Sequence, residues 1–558
     1  MRARTLATVI LAAGLFAVPV RGDDPPKKTA WNLDEVLDQL AHHPKDPYLQ
    51  YVALMLGIRD NREREVEEQI DRLNRPGRFE ERAGRRNRAD LFSTFTGALA
   101  IQESLQLDTM RGNRRGGRGV DIPKKAADPV DRPKDKAPEP PAPKKDDPPK
   151  TLQIDKLIGP AQKPHPWAKM LGDKKPEVGP LANCVPEDFW FAEFRSLAAV
   201  NQVTGLSELW GGHLFTQALG EARSQLTVER IKKQLGLLQL PPKALEAIQV
   251  DGVGVTGSDL FLGEGSDVTV LVEGKGIAGL LAVAMPVLKL RAKEEKGEHA
   301  GIAFGHYATP DGALNVYVAT PRPELHVRGN SLPAFKRVLE CVAGKDAKRL
   351  GESKEFQYVR TLMPYRAAEE DGFVYLSDPF IRRLVGPELK ISERRRVLVY
   401  NHLRMIGHAC LMFRTEFGRA PKSLNELAEA KCAPGVFGKG DLEHPDGGTY
   451  SLAADGLSGV CSKWGRAEAL NPCIEHPAIE ATSEEIDEYR AFVNEYNQYW
   501  RTFFDPIALR VQASPKQYRL ETLILPLIDN SIYTTMAQVL GGPAVALDTL
   551  PTPKREIG

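Results

Sequence analysis

Five side chains between residues 432 and 476 are of types that hold metals or form disulfides: Cys432, His444, Cys461, Cys473 and His476. Zinc takes four nitrogen or sulfur ligands in a tetrahedron. Cys473-Ile474-Glu475-His476 supplies one tight pair, and His444 and Cys461 complete a four-ligand set for zinc. The spacing lacks a Cys-x-x-Cys knuckle. In an oxidising compartment the alternative is one disulfide, Cys461–Cys473 or Cys432–Cys461, with the histidines at the surface. Both readings stay open on sequence.

Other chemistry is thinly signalled. His402 and His408 are six apart on a helical pattern, so they do not share a face, which disfavours a two-histidine metal site. One reads as a satisfied, partly buried histidine and the other as exposed. Gly252, Gly254, Gly257, Gly263 and Gly265 carry no lysine at a phosphate-loop position and read as tight turns between strands. Ser258 is in no nucleophile elbow, no His-Glu-x-x-His occurs, and no carboxylate pair stands out as a glycosidase dyad. No cofactor is expected besides zinc, and the catalytic residues, if any, are unknown. Arg111, Arg114, Arg115 and Arg118 sit among glycines without an aromatic residue to stack bases, and the formal net charge is +1. Nucleic acid is therefore not an expected partner.

The elements that must position these residues follow from periodicity and punctuation. Met1 to Gly22 has the basic, apolar and small-residue parts of a signal peptide, and its apolar run is shorter than the ~20 residues that span a bilayer. Membrane contact is expected only if that segment stays uncleaved. Residues 23–110 read as a helical module, with Asn32, Pro47 and Asp90 at helix starts. Residues 111–180 read as a disordered linker. Its Val120–Lys150 part holds nine prolines and fifteen charged residues, too little apolar surface to offset chain entropy. Trp167 is a docking point within the remainder.

From 181 the pattern is globular, and its irregular alternation with antiparallel hairpins predicts an α+β fold with flanking helices. The clearest hairpin joins Ile302–Tyr307 to Leu314–Thr320. The apolar run Gly276–Leu290 reads as a helix packed on the sheet, and Ser331 and Asp378 stand at helix starts. Ser392 reads as the cap of a long helix, Glu393–Phe417, closed by Gly418. A charged helix from Ser483 leads to a last hairpin, Ile507–Gln512 with Tyr518–Leu525, which is expected to return to the main sheet. The α+β domain then spans 181–392 and 481–541, interrupted by an insertion at 393–480 and followed by a flexible tail, 542–558. Cys341 and Cys410 fall inside apolar helical patterns and read as buried thiols.

The insertion resembles a pseudopilin-like segment. The resemblance rests on the long helix, Gly418-Arg419-Ala420-Pro421, Ser423-Leu424-Asn425-Glu426-Leu427, Pro445-Asp446-Gly447-Gly448-Thr449-Tyr450 and Val460-Cys461-Ser462. In that pattern a cysteine precedes the proline, where this chain has His444, and His-Gly follows the second cysteine, where this chain has Trp464-Gly465. The resemblance thus implies an incomplete cysteine pair. The processing site of a true pilin is absent, so a place in a pilus fibre is not implied. The region around the insertion is similar to uncharacterised exported bacterial proteins. Export, this layout and the lack of a catalytic motif point to a periplasmic or cell-envelope protein. The expected role is non-enzymatic binding or scaffolding, with an envelope protein or polymer as partner. The alternative is a hydrolase-type enzyme in the large α+β domain.

Overall fold

The computed structural model describes residues 32–42, 47–60, 62–74, 151–161, 164–200, 227–237, 250–261, 265–345, 348–432, 443–499, 506–513 and 518–524. Residues 1–22 read as a leader, the helix read from Asp90, the Arg/Gly run, Val120–Lys150 and residues 542–558 read as a tail lie outside these residues.

The chain opens with α1 (Leu33–His42), α2 (Pro47–Arg59) and α3 (Glu63–Asn74), then β1 (Leu152–Gln153), α4 (Trp167–Leu171) and β2 (Trp190–Phe194). Next come α5 (Thr227–Gln234), β3 (Gly252–Gly257), β4 (Thr269–Glu273), α6 (Ile277–Arg291), β5 (Glu294–His299), β6 (Ile302–Ala308), β7 (Asn315–Arg322) and β8 (Leu325–Gly329). They lead to α7 (Leu332–Ala343), α8 (Lys354–Leu362), β9 (Gly372–Leu376), α9 (Asp378–Val385), α10 (Pro387–Phe417) and α11 (Leu424–Glu429). The short strands β10 (Tyr450–Leu452), β11 (Gly459–Cys461), β12 (Gly465–Arg466), β13 (Ala469–Leu470) and β14 (Glu480–Ala481) precede α12 (Ser483–Tyr499), β15 (Ile507–Ala513) and β16 (Tyr518–Ile524).

The fold is α+β. Ten antiparallel strands form one sheet in the order β16-β15-β9-β2-β3-β4-β8-β7-β6-β5. Strand alternation divides the core between its faces. Phe373 and Tyr375 of β9 meet Phe335 and Val338 of α7 and Phe356 of α8 on one side. Val374 and Leu376 meet Phe380 and Leu384 of α9 and Val399 and Leu403 of α10 on the other. Both faces are covered, so β2 and β3 are buried along their whole lengths. Each large side chain removed from water contributes roughly 1.5–3 kcal/mol.

The helix α10 is the common wall of three bodies. Its first half closes the sheet, and its middle carries the small sheet β10-β11-β12-β13. Its last turns bury Met405, Ala409, Met412 and Phe413 against Leu37, Leu49, Val52 and Leu56 of α1 and α2. Asn32 and Glu35 start α1 with a reciprocal capping box: the Glu35 N–H donates to Asn32 Oδ1 at 2.9 Å, and the Asn32 N–H donates to Glu35 Oε2 at 2.9 Å.

Four details depart from the sequence reading. Helix α10 begins at Pro387, not after Ser392, because proline suits the first turn; Ser392 lies inside the helix and donates to the His476 carbonyl at 2.9 Å. Described structure resumes at Thr151, within the range read as linker, where Ile154, Leu157, Trp167 and Leu171 are buried and β1 pairs with β14. Gly252, Gly254 and Gly257 are strand residues, not turn residues. At Gly257 a side chain would strike the Asp267 carbonyl and the Trp190 ring, so glycine is what lets these strands approach. Finally, His402 and His408 are both buried. The face of α10 that a lone helix would expose is covered, with Arg59 of α2 close enough to disfavour the His408 cation.

Candidate functional site

The chemistry-bearing residues of the insertion gather between β10, β11 and α10. Tyr450 and Cys461 are opposite each other in the β10–β11 pair. His444 precedes the Pro445-Asp446-Gly447-Gly448 turn, where Gly447 takes a left-handed conformation at φ 77°. A Cβ at Gly448 would lie 2.6 Å from two atoms of the His444 ring, so glycine there lets the imidazole fold back over the turn.

His444 Nε2 lies 3.0 Å from Cys461 Sγ, and the Trp464 backbone N–H donates to the same sulfur at 3.3 Å. On the other side of the ring, Nδ1 lies 2.7 Å from Asp446 Oδ1, an ion-pair contact rather than an aligned hydrogen bond. The Gly448 and Asp446 N–H groups also point at Nδ1, at 2.9 and 3.3 Å. A carboxylate and an amide N–H ask for opposite protonation of one nitrogen. The carboxylate prevails, because a buried anionic oxygen left unpaired costs more than a weakened amide contact. Burial opposes the charged ring, but Asp446 and Cys461 outweigh it and raise the His444 pKa to about 9. Burial likewise opposes the ionised Asp446, yet His444 and Lys463 hold its carboxyl below the usual range. Trp464 Nε1 donates to Asp446 Oδ2 at 3.2 Å and fixes that carboxylate in place.

A second contact ties the insertion to the helix. His402 Nδ1 of α10 lies 2.8 Å from the Tyr450 hydroxyl, and burial, with the nearby His444 charge, pushes His402 down to about 4. His402 is therefore neutral and accepts the Tyr450 proton or donates to its oxygen according to tautomer.

Of the four residues nominated for zinc, only His444 and Cys461 meet. Cys473 turns to Glu393 of α10, its sulfur 3.4 Å from Oε2. His476 packs edge-on against Trp464 at 4.8 Å, and its Nε2 lies 3.3 Å from Asn471 Nδ2. Among the described residues no three His, Cys, Asp or Glu side chains are grouped to hold a metal. The 3.0 Å sulfur–nitrogen contact is also shorter than the ~3.6 Å that two ligands of one tetrahedral zinc would show. The disulfide alternatives are not formed either: Cys432, Cys461 and Cys473 are buried free thiols, as are Cys184, Cys341 and Cys410.

Sequence reasoning missed Asp446, Tyr450, His402 and Trp464 as members of this cluster. For Asp446 a signal existed: an acid two residues after a histidine on a Gly-Gly turn can fold back onto the ring. The arrangement places thiol, imidazole and carboxylate in line, the order found where a thiolate is stabilised for nucleophilic attack. Here Cys461 is 2% and His444 7% exposed, so the line is enclosed and latches the insertion.

Comparison with known proteins gives no match of any kind: no family model, curated protein or solved structure matches this chain.

Proposed function

We propose that the chain is an exported protein of the periplasm or cell envelope that acts as a non-enzymatic binding or scaffold protein. The supporting observation is the shared helix α10, which carries the N-terminal helices, the large sheet and the insertion on one 31-residue spine. Groups able to do chemistry are spent on holding the insertion: His402–Tyr450 and Cys473–Glu393 tie it to α10, and His444–Cys461 closes its own turn onto β11. Holding several modules in one frame presents their surfaces jointly to a partner, with the avidity that linkage confers. In-cell crosslinking of the tagged full chain, followed by isolation of the envelope, tests this. A reproducible protein or polymer partner is expected; recovery of abundant background alone would count against the reading.

A hydrolase-type enzyme is the second reading, favoured by the Cys461–His444–Asp446 line. Its nucleophile would be Cys461 in the insertion rather than a residue of the large sheet. Iodoacetamide labelling of the native chain at neutral pH decides. Cys461 reacting about a hundredfold faster than buried Cys341 would support it, and equally slow reaction of both would sink it.

A further inference from the structure

The two edges of the large sheet are built differently. At one end β5 carries Glu294, Glu295, Lys296 and Glu298 among its six residues. A second strand of the same kind would be repelled there, a recognised way of guarding an edge. At the other end β16 reads Tyr-Arg-Leu-Glu-Thr-Leu-Ile, without proline and with its two charges balanced. Among the described residues no strand pairs with its outer side. Leu520, on this strand, is 40% exposed.

We propose that β16 is a self-association edge, on which a second copy of this chain adds its own β16 antiparallel about a two-fold axis through Leu520. The sequence selects this register. Centring the pair on Leu520 sets Leu520 against Leu520 and brings Arg519 of each copy opposite Glu521 of the other. Glu521 already takes Arg510 of β15 at 2.8 Å, so it becomes the acceptor between two guanidinium groups. Shifting the centre to Glu521 would oppose like charges, and cross-strand pairs discriminate such registers. Backbone groups on the outer side of β16 would gain partners by strand addition. The occupant is a second copy rather than a foreign strand because both halves of the charge pair lie on the same seven-residue strand. One such strand makes a small contact beside the ~1,200–2,000 Å² of a standard interface, so the dimer should come apart on dilution. This inference rests on the binding reading and names one partner for it.

Sedimentation velocity of the full chain over a concentration series should show reversible doubling of mass, and Leu520→Lys should weaken association at least about tenfold. Opposed residues of an antiparallel pair have Cα atoms about 4.5–5.5 Å apart, within disulfide reach. Leu520→Cys should therefore crosslink chain to chain under mild oxidation, while Leu290→Cys, at a site 88% exposed on α6, should not. A chain that stays monomeric at every concentration overturns the proposal. So does a Leu520→Cys variant that crosslinks no better than Leu290→Cys, or only to a different protein. A monomer that still recovers an envelope partner would remove the dimer and leave the binding reading standing.

Discussion

His444 and Cys461 show how far single residues can be read. Their types nominated them for one zinc site with Cys473 and His476, and the resemblance, which puts a cysteine at position 444, implied only an incomplete cysteine pair. They form a hydrogen-bonded thiol and imidazole instead of a metal shell or a disulfide. What sequence lacked was direction: nothing in the spacing of Cys473 and His476 says that one turns to Glu393 and the other to Trp464. Replacing His444 by Ala leaves the buried Asp446 carboxylate with only Lys463 and the Trp464 indole as partners, so a loss of about 1–3 kcal/mol is expected in urea unfolding. Gly448→Ala should cost about 1–3 kcal/mol in the same assay, because a methyl group would press on the imidazole ring.

At the scale of elements, strands and caps were the most legible. The hairpin of β6 and β7, the apolar α6, the Gly418 end of α10 at φ 68° and the Ser423 cap all lie where turn chemistry and periodicity put them. The start of α10 was misplaced, since Pro387 and Ser392 both suit a helix beginning and the helix uses the proline in its first turn. Invisible in sequence was the pairing of faces. The apolar stripe of α1 and α2 predicts that something covers it, but not that Met405, Met412 and Phe413 do. Leu56 is fully buried in that contact. Leu56→Asp should therefore release the N-terminal helices, seen as faster proteolysis of residues 32–74 and greater dye binding at the bared end of α10, while the sheet keeps its own unfolding transition.

For the whole molecule, buried titratable groups set a pH dependence that no single element shows. Burial raises Glu193 and Asp267 to about 7 and Glu355 to about 8. His444 is raised to about 9. Each keeps a proton in the folded chain that it would lose when unfolded, so the stability it contributes disappears as pH rises through its folded value. Burial lowers His326 to about 3 and His402 and His408 to about 4, and these oppose the trend only below about pH 6.5. Thermal unfolding should thus move to lower temperature between about pH 6.5 and 9, and His444→Gln should flatten the upper part of that decline. A flat profile across that range would contradict these assignments. The return of β15 to β9 bears on time as well as on energy. Tyr375 and Ala508 are neighbours in the sheet although about 130 residues of chain separate them. Until that late strand arrives, β9 is itself a raw edge beside β2, so this end of the sheet is the last part to become safe from wrong pairing. A chain cut short before Ile507 would be caught in that state, prone to aggregate, and refolding of the intact chain should be paced by the two long closures that join β9 to β2 and to β15.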